Sequence, residues 1–266
     1  MNKLIAIFVW SSLSFTVSAQ VSLGPTVSTF AVLGGSTVTN TGTTLIGGNV
    51  GLSPGSSITG FPPGLVNGTI HTTDAFAAQA QVELTTAFNT AMGLACPGGN
   101  VLTGLDLGGL TLTPGVYCFS SSAQLTGTLT LNALGNPNAE FIFQIGTTLT
   151  TATTSAVVLI NQAQASSVFW ELGTSATFGT GTSFVGNVMA LASISFNSGV
   201  SLQGRALARN GAVTLIGDTV SIPGVGLPPG GPAATPAPPS LILVTIGLIC
   251  AGIYQARERL LNLIRS

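Results

Sequence analysis

Ser175-Ala176-Thr177-Phe178-Gly179-Thr180-Gly181-Thr182-Ser183-Phe184-Val185-Gly186-Asn187-Val188 is echoed 18 positions on by Ser193-Ile194-Ser195-Phe196-Asn197-Ser198-Gly199-Val200-Ser201-Leu202-Gln203-Gly204-Arg205-Ala206. The two lines superpose without a gap, with hydroxyls on hydroxyls, Phe178 on Phe196, Gly181 on Gly199 and Gly186 on Gly204. A fixed period of this content marks stacked copies of one supersecondary unit. The unit is too short for a helix pair and rich in β-branched residues and glycine. It reads as one coil of a parallel β-helix, or solenoid.

The pattern spreads outward from there. Phe141-Ile142-Phe143-Gln144-Ile145-Gly146 matches Val168-Phe169-Trp170-Glu171-Leu172-Gly173 at an offset of 27, nine longer than the short coil, with residues 161–167 as the extra loop. Ala212-Val213-Thr214-Leu215 falls under Ser193–Phe196 as a last rung. Residues 30–47, FAVLGGSTVTNTGTTLIG, match residues 169–186 at an offset of 139, so a complete coil sits far in sequence from its relatives. Turn signals follow at Ser53-Pro54-Gly55 and Phe61-Pro62-Pro63-Gly64, and residues 98–109 read as a loop.

Residues 73–92 break the period. They are Ala-rich and free of Gly and Pro, with Phe76, Ala80, Leu84, Ala87, Phe88 and Ala91 at helical spacing. Thr72 or Thr73 suits the N-cap, Asp74 the first turn and Gly93 the stop. Such a helix is ~30 Å long, about six rungs of ~4.8 Å. It can carry the chain from an N-terminal coil at one end of the stack to the other end, from which later coils build back.

Only 5% of the 266 residues are charged and 45% are hydrophobic, with 35 Gly and a net charge of -1. Disordered chains show the opposite balance. Six basic residues cannot form a phosphate-neutralising patch, which excludes nucleic acid as a partner. Lys3, the apolar stretch that follows and Val17-Ser18-Ala19 make residues 1–19 an export signal cut before Gln20. The chain is therefore expected to be secreted or held at the cell surface. In that oxidising setting Cys96 and Cys118 are expected to pair, closing a loop that contributes roughly 3 kcal/mol. The folded domain spans residues 23–222, a Pro/Gly-rich linker 223–239, and a hydrophobic tail 240–266. Leu241–Tyr254 is short for a membrane span, and Arg257 and Arg259 follow it. The tail resembles a PEP-CTERM-type sorting signal, which implies an envelope-sorting enzyme as a partner.

No constellation carries chemistry. Asp74, Glu83, Asp106, Glu140, Glu171, Asp218 and Glu258 do not recur at coil spacing, so no carboxylate pair serves acid/base work. His71 and Asp74 fall short of a metal set. Arg205 and Arg209 read as pins for turns and carbonyls. No enzyme, cofactor, metal or small-molecule substrate is expected, and the chain is expected to act as a monomer.

The coils present a surface instead. In Ser175–Phe178, Ala176 and Phe178 point in and Ser175 and Thr177 out. Ser193 and Ser195, Thr214, and Thr148 and Thr150 extend the outward set. A second row comes from the turns: Thr41, Thr43 and Thr44; Thr151, Thr153 and Thr154; Thr180, Thr182 and Ser183; Ser198 and Ser201. Ordinary solvent-facing strands use Lys and Glu; these use short, rigid hydroxyls at a spacing near repeats in ice. In the N-terminal coil Val38 aligns with Thr177, leaving Thr37 and Thr39 one residue out of step. Either that coil stacks with a register shift or the ladder ends before it.

The stretches FAVLGGSTVTNTG, PGSSITGFPPG, HTTDAFAAQAQVELTTAFNTAMGL, LTGLDLGGLTLTPGVYCFSSSAQLTGTLTL, GNPNAEFIFQIGTTLTT and GRALARNGAVTL resemble the microbial ice-binding protein family over residues 23–222. The resemblance implies a right-handed, three-faced, discontinuous β-helix flanked by one long α-helix. It also implies adsorption to ice through one flat face, lowered freezing point and inhibited recrystallisation. A T-A/G-x-T/N pattern of some members fits Thr41–Thr44 and Thr151–Thr154, while Thr180–Ser183 and Ser198–Ser201 end in Ser. A surface adhesin or matrix solenoid that binds polysaccharide is the alternative, with Trp170 as its main aromatic candidate.

Overall fold

Parallel pairing dominates the computed structural model, which describes residues 20–228. The expected export signal, most of the linker and the hydrophobic tail lie outside the described residues. The strands form a fourteen-stranded and a seven-stranded sheet, all of their strand pairings parallel. The larger sheet is two faces joined where Ser183–Ala190 and Ser201–Ala208 turn a corner. Gly186 and Gly204 stand at that corner with φ of +114° and +155°, and a Cβ on Gly204 would lie 1.9 Å from the Gly186 carbonyl oxygen. Only glycine fits there, which is why the period carries it.

Three faces result. The open face stacks Ala123–Leu125, Leu149–Thr151, Ala176–Phe178, Ile194–Phe196, Val213–Ile216, Thr37–Thr41 and Ser57–Thr59, in that order. The helix-covered face runs from Gly115–Phe119 to Ile70–Thr72. The third face runs from Thr111–Leu112 to Leu65–Asn67. The offset of 27 holds, since Phe141 to Ile145 pair with Val168 to Leu172. Inside, aromatic rings stack from coil to coil: Tyr117 on Phe143 at 5.5 Å, Phe143 on Trp170 at 3.9 Å, then Phe184, Phe178 and Phe196.

The N-terminal coil docks on the last C-terminal one. Val32 pairs with Ala206, Val38 with Val213 and Ile46 with Val220. The offset in these strands is 138, not 139, because inward positions must be apolar and Val38 therefore faces the core. The helix Ala75–Met92 carries the chain to the far end, as its length implied. Its 18 residues span ~27 Å, close to the ~29 Å across the open face. Asp74, rather than Thr72 or Thr73, is the N-cap and accepts from the Ala77 amide at 2.8 Å. Phe76 is 40% exposed and packs at the edge of the core, on His71 at 4.7 Å and Phe30 at 5.6 Å; Ala77 takes the buried position. Gly93 ends the helix at φ -81°, without a left-handed turn.

Polar clamps fix the helix to its face. Gln81 donates to the Gly34 and Ala208 carbonyls, Glu83 accepts from the Thr26 and Val27 amides, and Gln144 donates to the Ala91 and Leu94 carbonyls. Cys96 and Cys118 form the disulfide that ties the helix exit to the adjoining coil. The expected loop 98–109 belongs to that end: Val101 bridges Cys118, and Asp106 bridges Gln124. At the other end, Asn67 donates to the Gly226 carbonyl at 2.8 Å and Val225 packs on the core, so the fold runs past residue 222.

Glu171 sits under the helix, 4% exposed. Burial raises its carboxyl from the ordinary 4.5 to about 7. The folded state thus holds a proton that the unfolded state has released, and stability falls as pH rises from about 4.5 to about 7. Urea unfolding across that window is expected to show a loss of up to roughly 3 kcal/mol, which Glu171→Gln removes. An unchanged pH profile in that variant would refute the assignment.

Candidate functional site

The open face carries two outward columns. Gln124, Thr150, Thr177, Ser195, Thr214, Thr39 and Thr59 pair in register as the central one. Thr148, Ser175, Ser193, Ala212, Thr37 and Ser57 precede them by two residues and form the other. Every sequence-predicted member of the first candidate set lies on this face. The structure adds Thr37, Thr39, Ser57, Thr59 and Gln124, so the ladder continues through the N-terminal coils. Of the two alternatives the sequence left for Thr37 and Thr39, the register shift is the one observed: Val38 faces inward and both threonines join the ladder.

Backbone geometry sets the spacing, at ~4.8 Å between coils and ~6.6 Å along a strand between outward residues. Beneath lie Leu149, Ala176, Phe178, Ile194, Phe196, Val213 and Leu215, each no more than 1% exposed. This dense floor holds the β-branched Thr side chains rigid. No charged residue occupies these strands. The two columns differ in what their hydroxyls do. Ser175 accepts from the Ser193 amide at 3.2 Å and Ser193 from the Ala212 amide at 3.1 Å, so these two tie coils together. Among the described residues, the hydroxyls of Thr150, Thr177, Ser195, Thr214, Thr39 and Thr59 make no hydrogen bond to protein.

The second candidate row does not form one surface. Thr44, Thr151 and Thr182 are buried, at 0%, 3% and 0% exposure. Thr151 and Thr182 share a hydrogen bond of 2.9 Å, and Thr182 also donates to the Gly179 carbonyl at 2.7 Å. Thr44 bonds Asn40 and accepts from the Asp218 amide. These hydroxyls close the turn from inside, where unpaired backbone groups would be costly, and they cannot touch an external ligand. Thr41, Thr43, Thr153, Thr154, Thr180 and Ser198 are exposed around the corner. Ser183 and Ser201 pair on the third face, round the edge from the open columns.

The remaining polar candidates are structural. Arg205 donates to the Ser28 carbonyl and to Asn187 Oδ1, and burial lowers its guanidinium to about 10. Arg209 lies 4.8 Å over the Phe88 ring. His71 and Asp74 meet at 2.7 Å, and among the described residues no three His, Cys, Asp or Glu side chains gather as a metal set. Trp170 is fully buried, with its indole N–H on the Val185 carbonyl. It offers no platform to a sugar.

A parallel, three-faced strand solenoid with a lengthwise helix and one uncharged hydroxyl face defines a surface-presenting scaffold. The chain belongs to the family described as Ice-binding-like, which it matches over residues 32–221. It is 54% identical over 243 residues to the ice-binding protein of Nostoc sp. (strain HG1), covering 91% of this chain and 89% of that one. It is 34% identical over 227 residues to ice-binding protein 1 of Shewanella frigidimarina, covering 73% of this chain and 25% of that one. Among crystal structures, an ice binding protein from an Antarctic biological consortium is similar at 48% identity and TM-score 0.74, covering 83% of this chain and 96% of that one. That of the Antarctic ascomycete Antarctomyces psychrotrophicus gives 40% and 0.73, covering 76% and 98%.

The inward and outward hydroxyls of one turn are separable by experiment. Thr182→Val removes the hydroxyl that bonds both the Gly179 carbonyl and Thr151, leaving each with a backbone amide as partner, and is expected to cost about 1–2 kcal/mol in chemical denaturation. Thr180→Val, on the exposed side of the same turn, is expected to change stability by less than about 0.5 kcal/mol. Equal effects would contradict the sorting.

Proposed function

We propose that this protein adsorbs to ice through the open face, centred on the column Thr150, Thr177, Ser195, Thr214, Thr39 and Thr59. The observation that carries the reading is that these hydroxyls are unpaired, regularly spaced and free of neighbouring charge. Charged side chains would hold disordered hydration shells. Short hydroxyls and methyls on a rigid floor lose little entropy when they order a layer of water. A crystal pinned at such sites must grow as curved surface between them, which lowers its growth temperature and stops large grains from consuming small ones. Names of the relatives point the same way, each being called an ice-binding protein. The work belongs outside the cell, where the export signal sends the chain, with the C-terminal tail as the substrate of a sorting enzyme.

Bulk should break this contact without breaking the fold, because tyrosine is well tolerated on exposed strands. Thr177→Tyr and Thr39→Tyr are each expected to raise the concentration needed to halt ice recrystallisation by at least about tenfold, or 1.4 kcal/mol of adsorption. Ser201→Tyr on the third face is expected to leave it unchanged. A loss from Ser201→Tyr with none from the other two would move the site to the neighbouring face. Inactivity of the unmodified protein would remove the function.

A further inference from the structure

We propose that the cleft between the C-terminal end of the helix and the coils beside it binds a primary alkylammonium group. The cleft, about 580 Å³, is lined by Met92, Val101, Ser120, Gln144, Ile145 and Glu171 among others. Glu171 is 4% exposed, and among the described residues its carboxylate has neither a hydrogen-bond donor nor a basic side chain within 4.0 Å. Buried carboxylates are ordinarily paired. Beside it, Gln144 spends its amide N–H groups on the Ala91 and Leu94 carbonyls at 2.7 and 2.8 Å. Its Oε1 faces Cys118 Sγ at 3.1 Å, and that sulfur is in the disulfide and has no proton to give.

The charged and amide groups of the cleft therefore offer acceptors, with the Thr103 and Ser120 hydroxyls, 3.3 Å apart, as its side-chain O–H donors. The helix C-terminus adds the negative end of its dipole. No charged residue lies between Phe88 and Thr103, and Arg209, on a strand two coils away, is turned to Thr85 and Phe88. A ligand suited to this set brings positive charge and N–H donors. The exposed side chains of Met92 and Val101 ask for a short hydrocarbon chain as well, which disfavours a bare metal ion. Because burial opposes ionisation of Glu171, an arriving ammonium draws the carboxyl to its charged form and releases a proton near neutral pH.

Calorimetric titration of the intact protein with n-butylammonium chloride tests this, with 1-butanol and sodium chloride as comparators. Near pH 8, where Glu171 is ionised, n-butylammonium is expected to bind in the millimolar range and neither comparator to bind. Glu171→Gln is expected to weaken binding at least about tenfold, the worth of a charge-assisted hydrogen bond. Met92→Lys, at a position 57% exposed, places an ammonium at the cleft mouth and is expected to block the ligand. Near neutral pH the measured heat is expected to depend on the buffer, as proton release requires. Equal affinity in Glu171→Gln and the parent overturns the proposal. So does an equal response to sodium chloride or 1-butanol, or no heat from the parent at tens of millimolar.

Discussion

Coil-to-coil hydrogen bonding in parallel register is the interaction on which everything else rests. Once Gly186 lies under Gly204 and Val188 under Ala206, each later position is fixed relative to its neighbour one coil away. Inward aromatic rings then stack in a line, and outward threonines fall into a column without any interaction of their own to align them. The surface is thus a by-product of the core. Its regularity comes from amide geometry, and its chemistry from which small residues the sequence places outward.

Much of this was readable in the sequence because a strict period exposes inward and outward positions together. The 18-residue echo, the 27-residue rung and the helix of rung-matched length all appear in the structure. What resisted reading were places where one residue decides direction. The N-terminal coil matched at 139 by its glycines and Phe30, yet it stacks at 138 because Val38 must be buried. Likewise Asp74 outcompetes the preceding threonines as N-cap, and Phe76 loses the core position to Ala77 because the helix sits close on its face. Close docking favours small side chains, and sequence spacing alone does not report docking distance.

Thr180 and Thr182 show the same limit within one turn. Both read as part of a hydroxyl motif, but one meets solvent and the other holds the Gly179 carbonyl. A motif of Thr-Gly-x-Thr/Ser type is compatible with either role, because hydroxyls cap backbone groups as readily as they meet water. Only the path of the backbone through the corner separates them. The hydroxyls of Thr150, Thr177, Ser195, Thr214, Thr39 and Thr59 lie on the strands of the open face, where the ladder satisfies the backbone and leaves the side chains free.

The split stack also shapes how the chain can be made. Val32 pairs with Ala206 and Val38 with Val213, so the first coil, which can pair at once with Ser57–Thr59 and Leu65–Asn67 on one side, keeps its other side open until the last coil exists. Vectorial synthesis, which lets most solenoids build from one end, cannot complete this one. The closing contact joins residues on opposite sides of nearly the whole domain, and such long-range pairings slow folding. The step that locks the scaffold is therefore the one that waits for all of it.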